Sequence, residues 1–282
     1  MVSDRMLRRA AANGAMVAAG LLVVVLTTSA ALAQITVRGQ LAHDMETVPG
    51  ATLTGSVTID NETSELQQAR VYQRDYLFFA DGTNSYDDPG STARSNADWI
   101  TFSPEQATVP PNGSVTVSYQ INVPDSAGDG SWWSMLMVEA IDRDSRESTL
   151  GDDAPPEREV GFRQVTRYGV QLATHVNPTT AEPGIDLDNV SLQALEDGRT
   201  MFQIDVLNVG RIMMRPDVYM RLFDTDGNEY GPFQGVQYRL YPNTSTRQRI
   251  ELVGVPAGTY QAVFVVDAGG DAVFGGQFEL TL

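Results

Sequence analysis

Cysteine and lysine are both absent from the 282 residues. Without cysteine there is no disulfide framework, no thiolate metal site, no lipid attachment site and no cysteine nucleophile, so stability has to come from a packed core. Without lysine, all 19 basic residues are arginine, set against 36 acidic residues for a net charge of −17. Nucleic acid and anionic membranes are bound through clustered positive charge, so both are poor partners for such a chain. Two origins fit an acidic composition without lysine: a high-salt habitat, where screening removes self-repulsion, and a GC-rich genome that favours arginine codons. Histidine is nearly missing too, with only His43 and His175, far apart. Two histidines and scattered carboxylates make no zinc pattern, and each histidine reads as a surface or capping residue. P-loop, dinucleotide and nucleophile-elbow motifs are also lacking. The chain therefore reads as non-enzymatic, with no cofactor and no metal.

Long apolar runs are scarce as well. The one candidate, Ala15 to Leu26, falls short of the ~20 residues that span a bilayer. It follows Arg5, Arg8 and Arg9 and precedes Ala31-Leu32-Ala33, the order of a secretory signal with a small-residue cleavage site. We expect residues 1–33 to be a signal peptide and the mature chain to begin at Gln34, with an uncleaved anchor as the alternative. Arg8-Arg9 reads as ordinary n-region charge rather than a twin-arginine signal. The expected location is the periplasm or the cell surface, with no membrane insertion after cleavage. Roughly 250 residues then remain, enough for two ordinary domains.

What is present is strand pattern. Leu53, Gly55, Val57 and Ile59 alternate with Thr52, Thr54, Ser56 and Thr58. Val115, Val117, Tyr119, Ile121 and Val123 alternate with Thr116, Ser118, Gln120 and Asn122, and Phe202, Ile204 and Val206 alternate with Gln203 and Asp205. Short strands at regular spacing, separated by Gly, Pro, Asn and Asp, predict an all-β fold of sandwich type. The order of signals also occurs twice. Ile59-Asp60-Asn61 precedes Val71-Tyr72-Gln73-Arg74, as Val206-Leu207-Asn208 precedes Val218-Tyr219-Met220-Arg221. The expectation is two tandem immunoglobulin-like β-sandwiches, 34–177 and 178–282, joined at Asn177-Pro178 through Pro183-Gly184. Two polar stretches, 81–98 and 142–159, read as long loops of the first domain, the second as a mobile one.

The segment "SWWSMLMVEA" at 131–140 departs from alternation, because both of its faces are apolar. Trp132, Leu136 and Val138 share one face; Trp133, Met135 and Met137 share the other. One face can fill a sandwich. The second is covered by another part of the chain, or it forms a hydrophobic groove for a partner, for which methionine and aromatic side chains are suited. Downstream, Val160, Phe162, Tyr168, Val170, Leu172 and Val176 fall on one face of a final strand, with Arg163, Arg167, Gln171 and His175 on the other. The turn Asp224-Thr225-Asp226-Gly227-Asn228-Glu229 resembles the front of a calcium loop. Its glycine comes at the fourth position and no glutamate follows at the twelfth, so it reads as an Asp-Gly hairpin. Asn-x-Ser/Thr sequons at Asn61, Asn112, Asn189 and Asn243 carry no weight in a chain of bacterial appearance.

This layout resembles the two-domain immunoglobulin-like periplasmic chaperones of pilus assembly. In that family a flexible loop between strands F and G of the first domain precedes a G strand with alternating apolar residues, which is lent to an incomplete pilus subunit. "VGFRQVTRYGVQLATHV" stands in the corresponding place here. The resemblance also implies a carboxylate anchor made of an Arg on the first strand and a Lys near the base of G. Arg38, in "ITVRGQL", matches the former, and Arg163 or Arg167 would have to stand in for the missing lysine. "SWWSMLMVE", "RYGVQLATHV" and the C-terminal "AGTYQAVFVVDAGGDAVFGGQFEL" also resemble tandem-immunoglobulin surface proteins related to WxL-interacting proteins.

The reading that follows is an exported, non-enzymatic protein that binds a protein subunit of the cell envelope or pilus along the edge of its first domain. Trp132, Trp133, Met135, Met137, Val160, Phe162, Tyr168, Val170 and Leu172 are the expected contact residues, and Arg38, Arg163 and Arg167 the possible anchor. The alternatives are an adhesin or wall-polysaccharide-binding module using the acidic loops, and a structural subunit of a surface layer.

Overall fold

The computed structural model describes residues 35–142, 147–150, 165–196 and 198–282. The expected signal peptide, most of the 142–159 stretch, and Val160, Phe162 and Arg163 lie outside the described residues. The strands are β1 (Thr36–Arg38), β2 (Ala42–Thr47), β3 (Thr52–Asp60), β4 (Gln67–Phe78), β5 (Asn84–Asp87), β6 (Ile100–Ser103), β7 (Gln106–Val109), β8 (Ser114–Asn122), β9 (Gly130–Ile141) and β10 (Arg167–Val176) in the N-terminal lobe. The C-terminal lobe holds β11 (Ile185–Ala194), β12 (Thr200–Asn208), β13 (Asp217–Phe223), β14 (Glu229–Gln234), β15 (Ser245–Leu252), β16 (Thr259–Asp267) and β17 (Val273–Thr281). Among the described residues no helix is long and apolar enough to cross a membrane.

In the N-terminal lobe one sheet runs β1-β3-β8-β6 and the other β2-β10-β9-β4-β5, with β7 also on β4. The alternation of β3 and β8 drives their packing. Val57, Ile59, Val117 and Ile121 enter the core, while Thr54 pairs with Gln120 and Ser56 with Ser118 across the outer face. The facing sheet contributes Ala69, Val71, Leu136, Val138, Val170, Leu172 and Val176 to the same core. The C-terminal lobe repeats the plan, with sheets β11-β12-β15 and β14-β13-β16-β17 around Phe202, Ile204, Met220, Leu222, Ile250 and Phe264. The fold is thus all-β, two tandem immunoglobulin-like β-sandwiches, and both lobes lie within the single compact unit Ala33–Leu282.

The internal repeat has a physical counterpart. Asn61, at the end of β3, is buried; its amide donates to the carbonyls of Glu65, Val109 and Pro110, and its side-chain oxygen accepts from the Thr63 N–H. Asn208, at the end of β12, is buried in the same way; it donates to Ile212 and Leu240 and accepts from the Gly210 N–H. Two of the sequons are turns: Asn112 and Asn243 precede β8 and β15 with φ of 48° and 62°, a conformation in which Asn is favoured.

Three expectations are corrected here. The stretch 81–98 is largely ordered structure, because β5 lies inside it and pairs with β4. The buried Asp75 carboxylate takes the Thr92 N–H at 2.8 Å and the Ser95 hydroxyl at 2.6 Å, tying the rest of the stretch to β4. The final strand of the lobe is not a free edge along its length, since β2 runs parallel to β10 and pairs with it from Gln171 to Val176. His175 is neither a surface nor a capping residue: it is buried at the seam between the lobes. The Asp224 turn is the expected hairpin. The Asp224 carboxylate accepts the N–H groups of Asp226 and Asn228 between β13 and β14.

Candidate partner-binding groove

β9 and β10 pair antiparallel, Arg167 opposite Glu139 through Val176 opposite Gly130, and β4 flanks β9 on its other side. Because side chains alternate, residues 133, 135, 137 and 139 of β9 point away from the N-terminal core. They stand in rows with their neighbours: Arg74, Met135 and Gln171; Tyr72, Met137 and Gly169; Arg70, Glu139 and Arg167. Trp133 continues this face toward the C-terminal lobe, but it is only 2% exposed. Its ring packs 4.7 Å from that of Tyr241, and its indole N–H donates to the Tyr76 carbonyl at 2.9 Å. Ala173, Leu77, Phe78 and Met213 complete this small interlobe core. The other lobe thus covers one end of the apolar face and leaves the rest open.

The open part is a groove of about 990 Å³ lined by Arg70, Tyr72, Arg74, Tyr86, Met135, Met137, Glu139, Arg167 and Gly169. Gly169 lets the two methionine side chains close in against β10. A Cβ there would lie 2.9 Å from the end of Met135 and 3.4 Å from the sulfur of Met137. Glu139, nearly buried, organises the polar end: it accepts from the Tyr72 hydroxyl at 2.9 Å, from Arg70 at 3.2 Å and from Arg167 at 3.0 Å. Burial pushes its carboxyl up, but these hydrogen bonds outweigh that and hold it below the usual range. Tyr72 is pushed up by burial and by its bond to that carboxylate. The guanidinium groups of Arg70 and Arg74 lie 5.0 and 5.8 Å from the centre of the Tyr72 ring.

Of the residues that sequence reasoning nominated, the structure brings together Met135, Met137 and Arg167. Val170 and Leu172 fill the N-terminal core instead, and Tyr168 packs against it, because alternation turns their face of β10 inward. Trp132 also packs on that core, 5.0 Å from Trp99 and under the Arg94 guanidinium, with its N–H on the Gly128 carbonyl. Both tryptophans therefore serve packing within the chain rather than an open face. Arg38 is not near Arg167: it belongs to the opposite sheet and is paired with Asp60 through Nε at 2.8 Å. Arg70, Tyr72, Arg74, Glu139 and Gly169 were missed. The signal was present in β4, where Arg70, Tyr72 and Arg74 alternate with the core residues Ala69 and Val71.

A second polar cluster closes the seam between the lobes. Ser131 Oγ accepts the Met213 N–H at 2.7 Å and lies 2.8 Å from His175 Nδ1, while His175 Nε2 is 3.5 Å from Asp44, which is ion-paired with Arg239 at 2.5 Å. The order Ser, His, Asp invites comparison with a hydrolytic triad. Ser131, however, is fully buried and its oxygen is already engaged by the Met213 amide, so no substrate reaches it. Burial lowers the His175 pKa, with Asp44 pulling it upward by less. The Tyr241 hydroxyl beside this cluster is pushed up to about 12, chiefly by burial.

Two tandem sandwiches with an open groove on one outer face define the class of molecule: a two-lobed, immunoglobulin-like β protein. No protein-family model matches the sequence, and no curated relative is similar to it. Among solved structures, a chaperone–tip adhesin complex of CFA/I fimbriae biogenesis is similar over 87% of this chain and 98% of that one, at 10% identity and a TM-score of 0.47. The class 5 fimbriae chaperone CfaA is similar over 88% and 100%, at 13% identity and a TM-score of 0.44. The CsuC–CsuE chaperone–tip adhesion subunit pre-assembly complex of Acinetobacter baumannii is similar over 88% and 98%, at 13% identity and a TM-score of 0.42.

Proposed function

We propose that this chain is an exported, non-enzymatic protein of the periplasm or cell surface that holds another envelope or pilus-type protein in the groove of its first domain, residues 34–177, with 178–282 as the second domain. One observation carries the reading: a groove on the outer sheet face, with half-buried Met135 and buried Met137 at its floor and Arg70, Arg74 and Arg167 at its rim, lies beside the part of that face that the other lobe covers. Methionine and arginine are enriched where proteins meet, and a groove that combines them suits a protein partner. The Arg167–Val170 segment of β10 borders the groove and, among the described residues, pairs only with β9, which leaves backbone groups for strand addition. A photo-crosslinker at position 137 is expected to trap one envelope protein in exporting cells, and the same crosslinker at position 56, on the opposite sheet, to trap none. Equal trapping at both positions would overturn the proposal.

A further inference from the structure

The groove is chemically biased, although the protein as a whole repels anions. Three of the 19 arginines stand around it, on a chain of net charge −17. Glu139 neutralises part of that charge from below, engaging one NH2 of Arg70 and the Nε of Arg167. The outward nitrogens are taken differently. Arg70 NH1 holds the exposed carboxylate of Glu147 at 3.2 Å, and Arg74 NH1 holds that of Asp88, whose side chain is 87% exposed. Both acids come from segments outside the sheet rows, one after β9 and one after β5. Exposed pairs of this kind contribute little and exchange readily with other carboxylates. The two guanidinium positions are thus anion sites already filled by the chain's own acids.

Resting on the groove reading above, we infer that the occupant of the groove is an extended polypeptide segment with two carboxylate side chains four residues apart and an apolar side chain midway, and that it displaces Glu147 and Asp88. The spacing follows from β4. Arg70 and Arg74 are four residues apart on one strand, about 13 Å at ~3.3 Å per residue, and an extended segment lying along β4 repeats its side chains at the same interval. Midway lie Tyr72 and Met137, opposite Gly169, over which the flexible thioether ends of Met135 and Met137 close in and have to swing aside to admit an apolar side chain. Arg167 stands across the row from Arg70 and adds a second cation for the first carboxylate.

The test is fluorescence polarisation of the whole exported chain with a labelled probe peptide, Ser-Thr-Glu-Ser-Leu-Ser-Glu-Thr-Ser, and its analogues with Gln or Lys in place of both Glu. The Glu peptide is expected to bind about tenfold more tightly than the Gln analogue at low salt, with the advantage shrinking as salt rises, and the Lys analogue weakest of the three. The chain carrying Glu147→Gln and Asp88→Asn should bind the Glu peptide roughly threefold more tightly still, because its competitors are gone. A chain carrying Asp226→Asn and Asp271→Asn, with the same net charge but altered only on turns of the C-terminal lobe, should bind as the parent does. Equal binding of all three peptides, or equal tightening by both double variants, would overturn the inference. Gly169→Leu fills the groove without touching a charge, at the cost only of moving the flexible end of Met135, and circular dichroism checks that the chain still folds. If it abolishes binding of peptides among which the parent shows no preference, the groove stands and the acidic occupant falls. If the Glu peptide binds the Gly169→Leu chain as tightly as the parent, both fall. Arg74→Gln is the second variant; it is expected to remove most of the preference for Glu over Gln, and an unchanged preference would again count against the inference.

Discussion

His175 shows how one residue's surroundings reverse its meaning. In the sequence it is a lone histidine on a polar strand face; in the fold it is a buried link between Ser131 of its own lobe and the Asp44–Arg239 ion pair that reaches the other. Its folded pKa lies below the ordinary 6.5, so the unfolded chain takes up the proton first as pH falls. The stability it contributes is complete above about 6.5 and is lost as pH drops from there toward the folded value. Asp44, Glu139 and Asp205 are all held below their ordinary values, so their losses begin only in the carboxylate range. Denaturant melts between pH 7 and 5 should therefore slope downward with acid in the parent and run flatter in His175→Gln. A parallel slope in the variant would contradict this assignment. Other residues were easier to read. Asn61 and Asn208 could be matched from their strand ends alone, because a side chain that staples the following turn recurs wherever the same strand–turn unit recurs. The sequons at Asn112 and Asn243 were legible only as letters; their use is the left-handed backbone before β8 and β15.

At the scale of the element, alternation was informative where one face meets solvent and silent where both faces are covered. β3 and β8 declared themselves because their outer faces are Thr, Ser, Gln and Asn. β9 did not, since its apolar pattern is the same whether the second face meets a partner or the rest of the chain. β10 was placed correctly beside β9, yet its apolar side was assigned to a partner when it fills the core, because period 2 gives a face but not the direction in which that face points. The stretch after β4 was misread for another reason: polar composition resembles a loop, and the ordering device, Asp75, lies in the preceding strand. Asp75→Ala removes the acceptor for the Thr92 amide and the Ser95 hydroxyl, at a cost of about 2–4 kcal/mol if both donors stay unpaired. Hydrogen exchange should then show the Thr92 amide losing protection while the amides of β9 keep theirs; unchanged protection at Thr92 would show that Asp75 does not order the segment.

For the whole molecule, the two sandwiches and their order could be read from spacing and repetition, but their junction could not. Trp133 and Tyr241 are 108 positions apart, and nothing local in either stretch marks the other as its cover. Trp133→Ala is expected to cost about 3–5 kcal/mol, the range for deleting a large buried aromatic. Because the lost contact lies between the lobes, the single calorimetric transition expected of the parent should split into two. One sharp transition at lower temperature would mean that the seam is held by the Ser131–Met213 and Asp44–Arg239 contacts without the tryptophan.

The parallel strand β2 has a further effect on the border it occupies. The Gln171 amide is bonded to the Leu41 carbonyl and β2 follows from Ala42, so only Arg167–Val170 of β10, roughly 13 Å of backbone, is unoccupied on that side among the described residues. If a guest strand adds at this border as proposed, the described residues offer it four positions before it meets β2. On that proposal, a guest reaching past Val170 toward Val176 has to peel Ala42–Thr47 away first, so β2 meters how deeply it enters in that direction.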